Sequence, residues 1–130
     1  MARLIVIDAS VVIAALAVDD AHHAAASAAL ASAPSDDEIV IAATTRAEIL
    51  IGPSRTGGRA LAAAKDFLMG CVTVPVTAQV ADQAAFLRAR HRALSLPDAI
   101  ALTVAEVIGA DIIWTFDRRW RPVDSRVSIP

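Results

Sequence analysis

The stretch "LIVIDASVVIAALA", Leu4 to Ala17, is apolar except for Asp8 and Ser10. Its first part, "RLIVID", is short, continuous and β-branched, which is how a strand buried on both faces of a parallel sheet reads. "SVVIAALAV" then fits a helix starting near Ser10. Asp8 falls at the join. Arg3 ahead of the run and the A-x-A pattern "ALA" at Ala15–Ala17 at its end imitate a secretory leader. The charge argues otherwise: an aspartate at the centre of a membrane helix costs roughly 2.5–3.5 kcal/mol. The run is also too short to span a bilayer. A soluble, cytoplasmic protein is expected.

Working outward, "HHAAASAALASA" reads as a helix ended by Pro34, and "EIVIAA" as a second buried strand. "TTRAEILIG" opens a helix that Gly52 and Pro53 are expected to stop, with "SRTGG" as a loop. "RALAAAKDFLMG" is helical, and "CVTVPV" is a strand placed near an edge by its proline. Two helices follow, "TAQVADQAAFLRARHRA" and "SLPDAIALTVAEVIGA", the second closed by Gly109. "DIIWTF" is a strand, with "RVSIP" as a short last one. Strands alternating with helices predict an α/β domain of three layers around a mainly parallel sheet. With 130 residues and no linker, repeat or low-complexity tract, one domain over residues 1–130 is expected.

Composition narrows the chemistry. Hydrophobic residues make up 56% of the chain, enough for a substantial core. The formal net charge of −2 gives no global basic field to attract nucleic acid. Cys71 is the only cysteine, which excludes an internal disulfide and a thiolate zinc site. His22, His23 and His91 lack the helical spacing of a metal-ligand pair. "GPSRTGGR", Gly52–Arg59, imitates a phosphate loop, but Gly58 stands where the lysine belongs and no strand precedes it. It is expected to be a mobile connection near the site.

The carboxylates are more informative. Doubly wound sheets carry their sites at the carboxyl ends of strands. Asp8 ends the first strand, Glu48 follows the second, and Asp117 follows "IIWTF". Asp98 follows a helix and a loop, so periodicity alone does not bring it to that edge. Each acid except Asp8 has a plain structural explanation. Thr45–Glu48 and Ser95–Asp98 read as capping boxes, and a cap stabilises by about 0.5–2 kcal/mol. Asp117 suits a turn before "RRW". Taken together, carboxylates brought close repel and need a cation. With oxygen ligands alone on offer, Mg²⁺ or Mn²⁺ is the natural guest. Basic residues cluster in "RARHR", Arg88–Arg92, and "DRRWR", Asp117–Arg121. The second cluster adjoins an acid, so Arg118 and Arg119 are candidates for gripping RNA phosphates. With three Phe, two Trp and no Tyr, extensive base stacking is not expected.

These motifs together resemble a PIN-domain protein, specifically the ribonuclease toxin (VapC type) of a VapBC toxin–antitoxin pair. The carrying residues are "VIDASVVI", "TRAEILIG" with its E-x-x-x-G, "LPDAIALTVAEVIGA" and "IIWTFDRRW", which cover nearly the whole chain in order. The resemblance implies that Asp8, Glu48, Asp98 and Asp117 surround one or two Mg²⁺ or Mn²⁺ ions, and so places Asp98 with the rest. Ser10 and Thr115 match the hydroxyls beside the first and last acids. It implies strand order 3-2-1-4-5 and metal-dependent cleavage of RNA to 5′-phosphate and 3′-hydroxyl ends. It also implies a homodimer formed through the helices after the second and third strands. Inhibition would come from a cognate VapB-type antitoxin whose tail covers the site. Asp117 is the least secure acid, because the last position varies most in that family.

Two other enzyme or signalling classes share this layout. A phosphatase of the haloacid-dehalogenase type needs D-x-D at the first strand, where this chain has Asp8-Ala-Ser10. A receiver domain needs a lysine after the last strand, and Lys65, the only lysine, lies in the wrong segment. A PIN-like module that binds RNA or an antitoxin without catalysis is the remaining alternative.

Overall fold

A computed structural model describes residues 2–130. The elements are β1 (Leu4–Ile7), α1 (Ala9–Leu16), α2 (His23–Ser32), β2 (Glu38–Ala42), α3 (Ala43–Thr56), α4 (Gly58–Met69), β3 (Cys71–Val74), α5 (Ala78–Arg90), α6 (Leu96–Ile108), β4 (Ile112–Trp114) and β5 (Val127–Ser128). A 3₁₀ turn covers Arg118–Trp120. The strands form one parallel sheet in the order β3-β2-β1-β4-β5, as the resemblance implies. β3 lies at an edge, as expected, but it ends at Val74, so that Pro75 falls just beyond it.

Strand periodicity makes the three layers. Ile5, Ile7, Ile41 and Trp114 point to one face and pack with Val11, Val12, Ala26, Ile49 and Leu68 from the first four helices. Val6, Val40, Ala42 and Ile113 point to the other and pack with Val80, Ala84, Ala99, Leu102 and Val104 from α5 and α6. Both faces are covered, which is why these strands read as unbroken apolar runs. Gly109 closes α6 in the left-handed conformation (φ 66°), with its N–H shared between the Ala105 and Glu106 carbonyls.

One expected boundary is wrong. Gly52 and Pro53 do not stop α3, which runs on to Thr56, so "SRT" is helical and the expected mobile loop shrinks to Gly57. Pro53 forfeits one helical hydrogen bond. In exchange it packs beside Ile13, Leu16, Ile49, Ala60 and Ala63 in an apolar groove of about 210 Å³. The real break comes at Gly57 and Gly58, whose positive φ angles (70° and 56°) suit glycine. Among the described residues no helix is long and apolar enough to cross a membrane.

Candidate active site

The carboxyl edge of the sheet holds Asp8, immediately after β1. Its backbone N–H bonds the Trp114 carbonyl at 2.9 Å, which locks the end of β1 to the end of β4. Asp8 occupies the N-cap position of α1 yet caps nothing with its side chain. Instead its Oδ2 accepts hydrogen bonds from Ser10 Oγ at 2.8 Å and Thr115 Oγ1 at 2.9 Å. Ser10 Oγ in turn accepts from the Phe116 N–H at 3.2 Å, and Thr115 Oγ1 from the Asp117 N–H at 3.0 Å. The two hydroxyls picked out in the sequence thus clamp one oxygen of the first acid across β1 and β4. Thr115 is fully buried.

Glu48 reaches the same edge from α3. That helix begins at Ala43 directly after β2, so Thr45 lies inside its first turn rather than at its cap. The expected Thr45–Glu48 capping box does not form, and the Thr45 hydroxyl is buried without a partner. Glu48 therefore has no capping duty. Asp98 does: the Ser95–Asp98 box is complete, with Asp98 N–H to Ser95 Oγ at 3.2 Å and Ser95 N–H to Asp98 Oδ2 at 3.0 Å. One Asp98 oxygen is committed to the box.

Electrostatics ties these three together. Burial pushes the Asp8 carboxyl above its ordinary range and the Asp98 charge adds to the push, while the Ser10 and Thr115 hydroxyls pull it back. The Glu48 carboxyl is also raised, first by burial and then by the charges of Asp8 and Asp98. Asp117 behaves oppositely. Arg119 holds it in a two-pronged ion pair, Nη2 to Oδ2 at 2.7 Å and Nε to Oδ1 at 2.9 Å, which keeps its carboxyl below the usual range. Its Oδ1 also accepts from the Arg119 N–H, so Asp117 caps the 3₁₀ turn. The structure accordingly groups Asp8, Glu48 and Asp98, and leaves Asp117 engaged with Arg119. Arg118 beside it is exposed.

The donor set suits a hard divalent cation: three carboxylates, two of them disfavoured as anions where they stand. Among the described residues no three His, Cys, Asp or Glu side chains are drawn close enough to make a finished metal cage. One site feature was not anticipated from sequence. The His22 ring stacks on Phe116, centroids 4.3 Å apart and planes 12° from parallel. Only the neighbourhood of the acid motif at Phe116 hinted at it; nothing in the spacing of His22 did.

The family model of the PIN domain matches residues 5–125. The chain belongs to the PIN domain family. This PIN domain superposes on VapC20 of Mycobacterium tuberculosis, described as a sarcin–ricin loop cleaving toxin, with a TM-score of 0.79 and 26% identity over 92% of this chain and 94% of that one. It also superposes on a chain of a toxin–antitoxin complex from Klebsiella pneumoniae (TM-score 0.77, 20% identity, 95% and 94% covered). FitAcB from Neisseria gonorrhoeae gives a TM-score of 0.70 at 17% identity, with 96% and 95% covered. The last two likenesses show the fold alone. No curated protein sequence matches this PIN domain. The VapC-type resemblance carried by its four motifs is thereby borne out in family and fold.

Proposed function

We propose that this PIN domain, spanning residues 1–130, is a metal-dependent endoribonuclease acting as the toxin of a type II toxin–antitoxin pair. The observation that carries this reading is the set of Asp8, Glu48 and Asp98 at the carboxyl edge of the sheet, with Asp8 raised by burial and the Asp98 charge, and Glu48 by burial and the charges of Asp8 and Asp98. Asp8, Glu48 and Asp98 would hold Mg²⁺ or Mn²⁺, with Asp117 as a further ligand or an orienter of water. Such an ion, when bound, lowers the pKa of a water and stabilises the leaving oxygen of a phosphodiester.

The chain's own residues do the rest. Ser10 and Thr115 fix Asp8 through Oδ2 alone. Buried Ile7, Ala9, Ile41 and Ala42 keep water from the base of the site. Arg118 and Arg119 grip the RNA phosphates, and a phosphate competing for Arg119 would release Asp117 toward the other acids. Purified protein is expected to cleave RNA with Mg²⁺ or Mn²⁺ and to lose that activity in excess EDTA. Equal cleavage in both conditions would refute the metal dependence.

A second reading is a non-catalytic module that binds RNA or an antitoxin. The open spacing of the acids favours it. Divalent-ion binding that depends on the carboxylates separates the two, because an inert module shows none.

A VapB-type antitoxin is the proposed partner, on the strength of the toxin–antitoxin assemblies in which structural neighbours occur. A homodimer is supported by exposed apolar side chains on the elements after β2 and β3: Ile51 on α3, Met69 on α4 and Phe86 on α5. A concentration-independent monomer mass in sedimentation would remove it. A cytoplasmic location accords with these assignments.

A further inference from the structure

We propose that His22, backed by Phe116, is a stacking platform for one base of a single-stranded RNA entering the acid site. The inference rests on the nuclease reading and adds a substrate contact to it.

The ring pair is tied to the acids by a short chain of bonds. Phe116 N–H donates to Ser10 Oγ at 3.2 Å, and Ser10 Oγ–H donates to Asp8 Oδ2 at 2.8 Å. The corner carrying His22 is fixed by two turns. The His22 N–H donates to Asp20 Oδ1 at 2.8 Å, and the His23 N–H to the Asp20 carbonyl at 3.0 Å. His23 Nδ1 then donates to the Ala14 carbonyl at 2.9 Å, tying the start of α2 to α1. With its backbone anchored and its ring resting on Phe116, His22 loses little freedom when a ligand stacks on it.

The rest of the chain makes the platform distinctive. Trp114 and Trp120 are buried, and Phe67 is packed against the core. The other exposed ring, Phe86 on α5, has the Arg90 guanidinium 5.3 Å over it. Phe116 gives one face to His22, while His22 itself is exposed and keeps ring surface for a second partner. Unstacked RNA bases are commonly held on His and Phe rings. Every base has a π-face, so the contact needs no hydrogen-bond readout.

The test uses Asp8→Asn as a non-cleaving parent with Mg²⁺ present. The probes are a fluorescein-labelled oligoadenylate of about a dozen nucleotides, a length that covers one binding site, and the same chain without bases. Adding His22→Ala is expected to weaken oligoadenylate binding roughly 5- to 150-fold, the range of one base–aromatic stack. Binding of the abasic chain should not change, and His22→Phe should restore oligoadenylate binding. In cleavage by the otherwise unaltered protein, His22→Ala should raise KM with kcat kept. Equal loss for both probes, or no loss for either, overturns the platform. Absence of any RNA cleavage by the unaltered protein overturns the nuclease reading itself, and the platform with it.

Discussion

Asp8→Asn is expected to lower kcat/KM for RNA cleavage by at least about 10³-fold, the order seen when a member of a concerted catalytic set is removed. The same change should make the protein more stable at pH 7, by a few degrees in Tm. Asparagine keeps the shape of the side chain and still accepts from Ser10 and Thr115 through its carbonyl oxygen. What it loses is the charge. In the folded protein burial raises the Asp8 carboxyl above its unfolded value, so the folded state holds that proton more tightly. The associated stability is present below the unfolded pKa and is lost as pH rises through the folded pKa. The advantage of the variant must therefore be absent in strong acid and grow toward neutrality. Thermal melts of both proteins at several pH values check this. A variant that is inactive and also less stable at pH 7 would mean that Asp8 is a structural residue.

The second large effect concerns Trp120. It is fully buried in the core on the α5–α6 side of the sheet and ends the 3₁₀ turn that begins after Asp117. Its backbone N–H donates to the Asp117 carbonyl at 3.1 Å. Trp120→Ala should cost about 3–5 kcal/mol, the usual range for emptying a buried aromatic site. Its indole Nε1 is buried without a partner. Trp120→Phe removes that unpaired donor along with some volume, so its cost should be clearly the smaller of the two. Urea unfolding midpoints of the three proteins decide it. A loss below about 1 kcal/mol for Trp120→Ala would show that the site collapses freely.

The fold was legible because its strands are buried on both faces. β1, β2 and β4 carry short apolar runs rich in β-branched Ile and Val, whereas the equally apolar helix α1 is rich in alanine. α3 runs past Gly52–Pro53 against local propensity, with Pro53 lining an apolar groove beside Ile13, Leu16 and Ile49. The site was half legible. Asp8 and Glu48 stand where strand ends put them, and the structure strips Glu48 of its apparent cap. Asp98 eluded the periodicity, yet topology explains it. α6 precedes a parallel strand, so it must start at the carboxyl edge, and its first turn carries Asp98 there. The Arg119–Asp117 pair and the His22–Phe116 stack depend on side-chain directions that spacing does not encode. The bond from Arg46 Nη1 to Thr73 Oγ1 at 3.2 Å, between α3 and β3, depends on side-chain direction in the same way.

Calorimetric titration of Mn²⁺ into the unaltered protein, and into Asp8→Asn, Glu48→Gln and Asp98→Asn, tests the three-acid assignment most directly. Saturable binding to the unaltered protein, weakened at least about tenfold by each substitution, is the predicted result. Binding that is absent throughout, or undiminished by all three substitutions, would contradict the assignment of these carboxylates as a metal site.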